Sequence, residues 1–152
     1  MKHDTDNVHY IDMRSDKQFK DPIEGCKFIT QNIDNAIADK EEPVLFTIGG
    51  DHTISYGSVS SSLKMDHNTV LIWIDAHSDI NSPETSCSGN CHGMPVNYIL
   101  GLTRHKAIGE TPKLNPRNLI YMGLRSIDAP EEEILQSLEK KGMLRFSADY
   151  IR

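Results

Sequence analysis

No apolar run in this 152-residue chain approaches the ~18–20 residues needed to span a bilayer. The first ten residues, MKHDTDNVHY, lack the apolar core of a secretory signal. Positive charge is scarce as well. Sixteen Lys and Arg against twenty-two Asp and Glu give a net charge of −6, which argues against nucleic acid as a partner. Cysteine is limited to Cys26, Cys87 and Cys91, an odd number, and without a signal segment these are expected to be free thiols of a cytoplasmic protein. Cys87, Cys91 and His92 are zinc-ligand types, yet no second ligand pair stands at matching spacing, so they are read as members of a functional loop. The sequence shows neither repeats nor low-complexity segments.

What is present is the composition of one soluble globular domain, 38% hydrophobic and 25% charged. Residues 1–21 are polar and aperiodic and are expected to be irregular, with the domain proper over 22–152. From Pro22 a helical pattern puts Cys26, Ile29, Ile33, Ala36 and Ile37 on one face. VLFTIGG (44–50) then reads as a short buried strand closing on two glycines. A serine-rich weak helix is expected from Thr53 to about Leu63, a second strand over 69–75, a loop over 76–92 and a helix over 94–102. NLIYMGL (118–124) and MLRFS (143–147) complete the strands, with a helix opened by Pro130 between them. Strands and helices that alternate, with the strands apolar throughout, predict an α/β fold around a mainly parallel sheet flanked by helices.

In such sheets ligands bind beyond the carboxyl ends of the strands. Those ends here read GGDH, DAHSD and GLRSID. In an extended backbone Asp75, His77 and Asp79 would point to one side and converge three ligand-type side chains. Two carboxylates so close repel unless a cation neutralises them. His52, after the sharp turn that Gly49 and Gly50 permit, would add an imidazole from the neighbouring strand end. Imidazole with carboxylate suits manganese, iron, zinc or nickel better than calcium or magnesium. Carboxylates can also bridge two ions, and a two-metal site lowers the pKa of water between them.

The segments GGDHTISYG, WIDAHSDIN, SGNCHGMPV and GLRSIDAPE occur in that order and together resemble the signature motifs of the ureohydrolases, the arginase–agmatinase family. The resemblance implies a three-layer α/β/α fold and a hydrolase with two manganese ions, in which a bridging hydroxide attacks a guanidinium carbon. It implies L-arginine and water as substrates and L-ornithine and urea as products, with agmatine or another guanidino acid as the alternative substrate. His52, Asp75, His77 and Asp79 take the positions of metal ligands. His92 takes that of the proton-shuttling histidine. Asn81 and Ser88 would receive the α-carboxylate, Asn90 the polar head, and Asp128 and Glu131 the α-amino group. Asn81 and Ser88 favour a substrate with an α-carboxylate, which agmatine lacks.

The sequence departs from the pattern in two ways. Ser86 stands where arginases often carry Thr, and Ser126 where some carry Asp. More seriously, no S-x-D-x-D-x-x-D-P motif is present, the one whose two aspartates complete the family's metal cluster; FSADYIR resembles the sequence just upstream of it. The chain therefore reads as a partial ureohydrolase domain lacking the C-terminal half. It is expected to bind metal weakly, to release little urea alone, and to expose apolar sheet surface. A short non-catalytic product that binds a metal or a partner is the other reading, and homo-oligomerisation is left to a full-length protein.

Overall fold

A computed structural model describes residues 22–41, 43–103 and 111–150. The segment 1–21, expected to be irregular, lies outside the described residues. The sheet consists of three parallel strands, β1 (Leu71–Ile74), β2 (Leu119–Leu124) and β3 (Leu144–Ser147), in that spatial order. Leu71 pairs with Leu119 and Ile74 with Met122, while Ile120 pairs with Leu144. The four helices of more than one turn are α1 (Pro22–Ile37), α2 (Ile54–Met65), α3 (Pro95–Leu100) and α4 (Ala129–Glu139). This is the α/β arrangement that the apolar strands and intervening helices predict.

The serines that make α2 a poor intrinsic helix have a packing use. Ser60 and Ser61 are buried, Ser61 against α1, and a Cβ on Gly57 would stand 2.7 Å from Ile29 Cγ2 and 3.1 Å from the Cys26 carbonyl. Small side chains thus let the two helices approach closely, and tertiary contact overrides propensity. The helices are also stitched by hydroxyls: Ser61 Oγ donates to the Thr30 carbonyl at 3.4 Å, and Thr30 Oγ1 donates to that of Gly57 at 3.5 Å. α4 is started by Asp128, whose carboxylate accepts from the Glu131 backbone N–H while Glu131 reaches back to the N–H of Asp128. That reciprocal cap fixes where the chain leaves β2 and enters the helix. Leu135 and Leu138 of α4 join Leu119, Tyr121, Ile80, Val96, Ile99 and Met143 in one core.

One expected strand does not form. Residues 44–50 join no ladder, and Val44, Phe46 and Ile48 are 91%, 93% and 91% exposed. A buried strand needs hydrogen-bonding neighbours and cover on both faces; among the described residues this segment pairs with no strand and only Leu45 and Thr47 are half-covered. Instead an open cleft of about 390 Å³ separates Gly49 and Gly50 from Ile72 and Ile74 on the free edge of β1. Ile72 and Ile74 are also exposed, so the expected apolar surface is present along this side.

Opposite the cleft, α4 is tied to β3 by Arg145. Its Nη1 and Nη2 donate to the two carboxylate oxygens of Glu132 at 2.6 and 2.8 Å, and its Nε donates to Glu139 at 2.8 Å. The hydrogen bonds from Arg145 hold the Glu132 carboxyl down at about 2. A depressed carboxyl contributes stability above its ordinary value of 4.5 that is lost as pH falls toward about 2. Because Glu132 is more than a third exposed, solvent screening limits the pair to ~1 kcal/mol. Arg145→Gln should therefore cost ~1 kcal/mol at neutral pH and flatten the acid-side loss between those pH values, read by urea denaturation at a series of pH values.

Candidate metal centre

β1 delivers its chemistry where it ends. The Asp75 backbone N–H still donates to the Met122 carbonyl at 3.1 Å, and the Ala76 carbonyl accepts from the Arg125 and Ser126 N–H groups at 3.0 Å. Beyond Asp75 the backbone does not continue as a strand. The Asp75 carboxylate accepts from the His77 N–H at 3.0 Å, which curls the chain, and Asp79 adopts φ +48°. Asp75 and Asp79 are thus brought together by a turn rather than by strand alternation. This corrects the sequence expectation: three side chains at alternate positions converge only while the backbone stays extended.

The convergent set is His52, Asp75 and Asp79, whose ligand-type atoms all lie within 4.8 Å of one another. His52 Nδ1 is 2.6 Å from Asp79 Oδ2 and 3.1 Å from Asp75 Oδ2. His52 sits in the turn before α2, where its carbonyl accepts from the Ser55 N–H and hydroxyl. Its ring meets the edge of Trp73 at a centroid distance of 5.8 Å. The fourth expected ligand, His77, stands beside this set: its Nδ1 is 3.6 Å from Asp75 Oδ1 and its side chain is 59% exposed.

The electrostatics of the three groups are mutually dependent. His52 titrates above its ordinary value, chiefly through its hydrogen bond to Asp79. Asp79 is nevertheless raised too, because burial of its carboxyl outweighs the help it receives from His52. Two carboxylates and an imidazole at the mouth of a cleft form a nitrogen–oxygen donor set. Such a set fits a divalent cation, which can take the proton's place.

The other expected site residues form a second, connected group. Asn81 Nδ2 donates to Asp128 Oδ2 at 2.9 Å, and its Oδ1 accepts from Thr85 at 2.9 Å, so the amide is held at both ends. Glu131 is buried at 5% exposure, with one oxygen accepting from Ser78 Oγ and the other from the Asp128 N–H. Ser88 and Asn90 lie exposed on the loop, Ser88 Oγ accepting from the Asn90 N–H at 3.2 Å. His92 is exposed in a single 3₁₀ turn, Cys91–Gly93. The three cysteines form no disulfide and lie outside the donor set. Sequence reading missed Ser78, Thr85, Tyr121 and Trp73. A hydroxyl or ring inside an apolar run carries no outward mark of the partner it will meet. Trp73 borders the cleft, and its indole N–H is buried with no acceptor among the described residues.

The raised His52 sets a pH dependence. A histidine whose folded value exceeds its unfolded one contributes stability that is fully present below about 6.5 and lost as pH rises through the higher folded value. The metal-free chain should therefore lose thermal stability on that rise, and His52→Ala should remove the trend. Added Mn²⁺ should raise the melting temperature more at pH 8 than at pH 6, as differential scanning fluorimetry would show.

Residues 2–152 match the model of the Arginase family. The chain is 44% identical over 109 residues to an arginase of Glaciozyma antarctica, covering 68% of this chain and 32% of that one. It superposes on the crystal structure of arginase from Bacillus subtilis with a TM-score of 0.74 and 34% identity, covering 86% of this chain and 45% of the other. An Entamoeba histolytica arginase, solved in complex with L-ornithine, superposes with a TM-score of 0.68 and 30% identity over 85% of this chain and 45% of that one. The chain thus spans less than half the length of each of these relatives. Across nearly all of its sequence it belongs to the arginase family.

Proposed function

We propose that this chain carries the manganese- and substrate-binding part of an arginase-type ureohydrolase, which splits L-arginine and water into L-ornithine and urea. The observation that carries the reading is the meeting of His52, Asp75 and Asp79 within 4.8 Å at the end of β1. His77, beside Asp75 and largely exposed, is the fourth ligand of this reading. Manganese, when bound, supplies a strong nucleophile from water near neutral pH, which a guanidinium carbon requires.

The remaining residues bind and move protons. His92, exposed at the loop, donates the proton that lets the ornithine amine leave when the guanidinium C–N bond breaks. Asn81 and Ser88 offer neutral hydrogen bonds to an α-carboxylate, and Asn90 to the polar head. Asp128, exposed at the start of α4, balances an α-ammonium; Glu131 supports it from the buried side. The relative solved with L-ornithine is consistent with a small amino acid at such a site.

With three donors in the cluster and His77 alongside, two ions would be under-coordinated. The chain alone should bind Mn²⁺ weakly and release little urea. The test is ornithine and urea release with added Mn²⁺, beside an Asp75→Asn control and with agmatine as competing substrate. Robust turnover by the 152-residue chain would overturn the expected inactivity. Turnover of agmatine but not arginine would overturn the substrate.

A further inference from the structure

Asp79 is the one non-glycine residue with positive φ among the described residues, at +48°. L side chains adopt that conformation rarely, and it persists where the surroundings over-determine it. Here the restraints are visible on both sides. The preceding residue, Ser78, is fully buried, its carbonyl accepts from Tyr121 Oη at 2.6 Å, and its own hydroxyl donates to Glu131 Oε1 at 2.7 Å. On the far side the Asp79 carbonyl accepts from the Val96 N–H at 3.1 Å, and Ile80's carbonyl accepts from Asn97 Nδ2 at 3.0 Å.

We infer that Ser78 is a positioning residue for the metal site: clamped between Tyr121 of β2 and Glu131 of α4, it holds Asp79 in the left-handed turn that aims its carboxylate at His52. The inference rests on the proposed role of Asp79 as a ligand. Each partner has a reason to be rigid. Tyr121 is completely buried in the central strand, and Glu131 is fixed by the cap of α4. Both carboxylate oxygens of Glu131 are already accepting, so this acid sets geometry from behind the site. Two elements therefore converge on Ser78, and neither supplies a donor to the cluster itself. Outer partners of this kind typically change metal affinity 10–100-fold when removed.

The test uses Ser78→Ala and Tyr121→Phe, which remove the two hydrogen bonds independently, and Leu138→Val as a control that weakens the core away from the site. Two quantities are read on the 152-residue chain: the backbone conformation of Asp79 in metal-free protein, from its ³J(HN–Hα) coupling and carbon shifts, and the Mn²⁺ affinity by electron paramagnetic resonance. The expected result is loss of the positive φ and roughly tenfold weaker Mn²⁺ binding in both variants, with neither change in Leu138→Val. A merely structural Ser78 would lower the melting temperature as the control does and leave the coupling untouched. Positive φ retained in Ser78→Ala and Tyr121→Phe overturns the inference. Failure of the unaltered chain to bind Mn²⁺ would instead sink the metal reading, while the Asp79 coupling would still decide the positioning.

Discussion

Asp79 carries the constraint around which the end of the sheet is built: an acid that is almost wholly buried must find positive charge or hold a proton. His52 answers it across 2.6 Å from a segment 27 residues earlier. Each neighbouring feature follows from keeping that pair in register. The turn at Asp75 curls the chain, Ser78 and Tyr121 set the backbone, and the 93–97 segment ties down the far side through Gly93, Val96 and Asn97. The metal-free cluster is then an electrostatic compromise in which imidazole and carboxyl share what a cation would neutralise more fully.

Much of this was legible in the sequence. Strand cores LIWI and LIYMGL announced themselves by continuous apolar residues, and α1 by its apolar stripe, of which Cys26 and Ile33 are buried. The chemistry at the strand ends was legible too, because Asp, His and Asp directly after an apolar run have few structural uses. The geometry that unites them was not. The positive φ of Asp79 is imposed by hydrogen bonds from β2, α4 and the 93–97 segment, none of them close in sequence. Likewise Glu131 is marked in the sequence only as a substrate contact by resemblance, and the fold shows it buried against Ser78.

The segment 44–50 illustrates the opposite failure. Its apolar pattern is that of a buried strand, yet burial is a property of neighbours: Leu45 and Thr47 are only half-covered and the other face is open among the described residues. Its exposed Val44, Phe46 and Ile48 face the same deficiency as Ile72 and Ile74 on β1, whose free edge carries unpaired backbone groups. The cleft between them opens directly beside His52 and Asp75. Incomplete cover of the sheet and incomplete coordination of the cluster are therefore one physical situation. Among the described residues this side offers few apolar neighbours and the cluster has no donors beyond His52, Asp75 and Asp79, with His77 alongside; the chain spans less than half the length of the arginases it resembles.

The central claim is that this half-covered sheet end already holds a cation site. Crystals of the chain grown with Mn²⁺ and measured at the manganese absorption edge address it most directly. An anomalous peak in coordinating contact with His52, Asp75 and Asp79 is the result the account predicts. A peak confined to other residues, or none at saturating Mn²⁺, would contradict it.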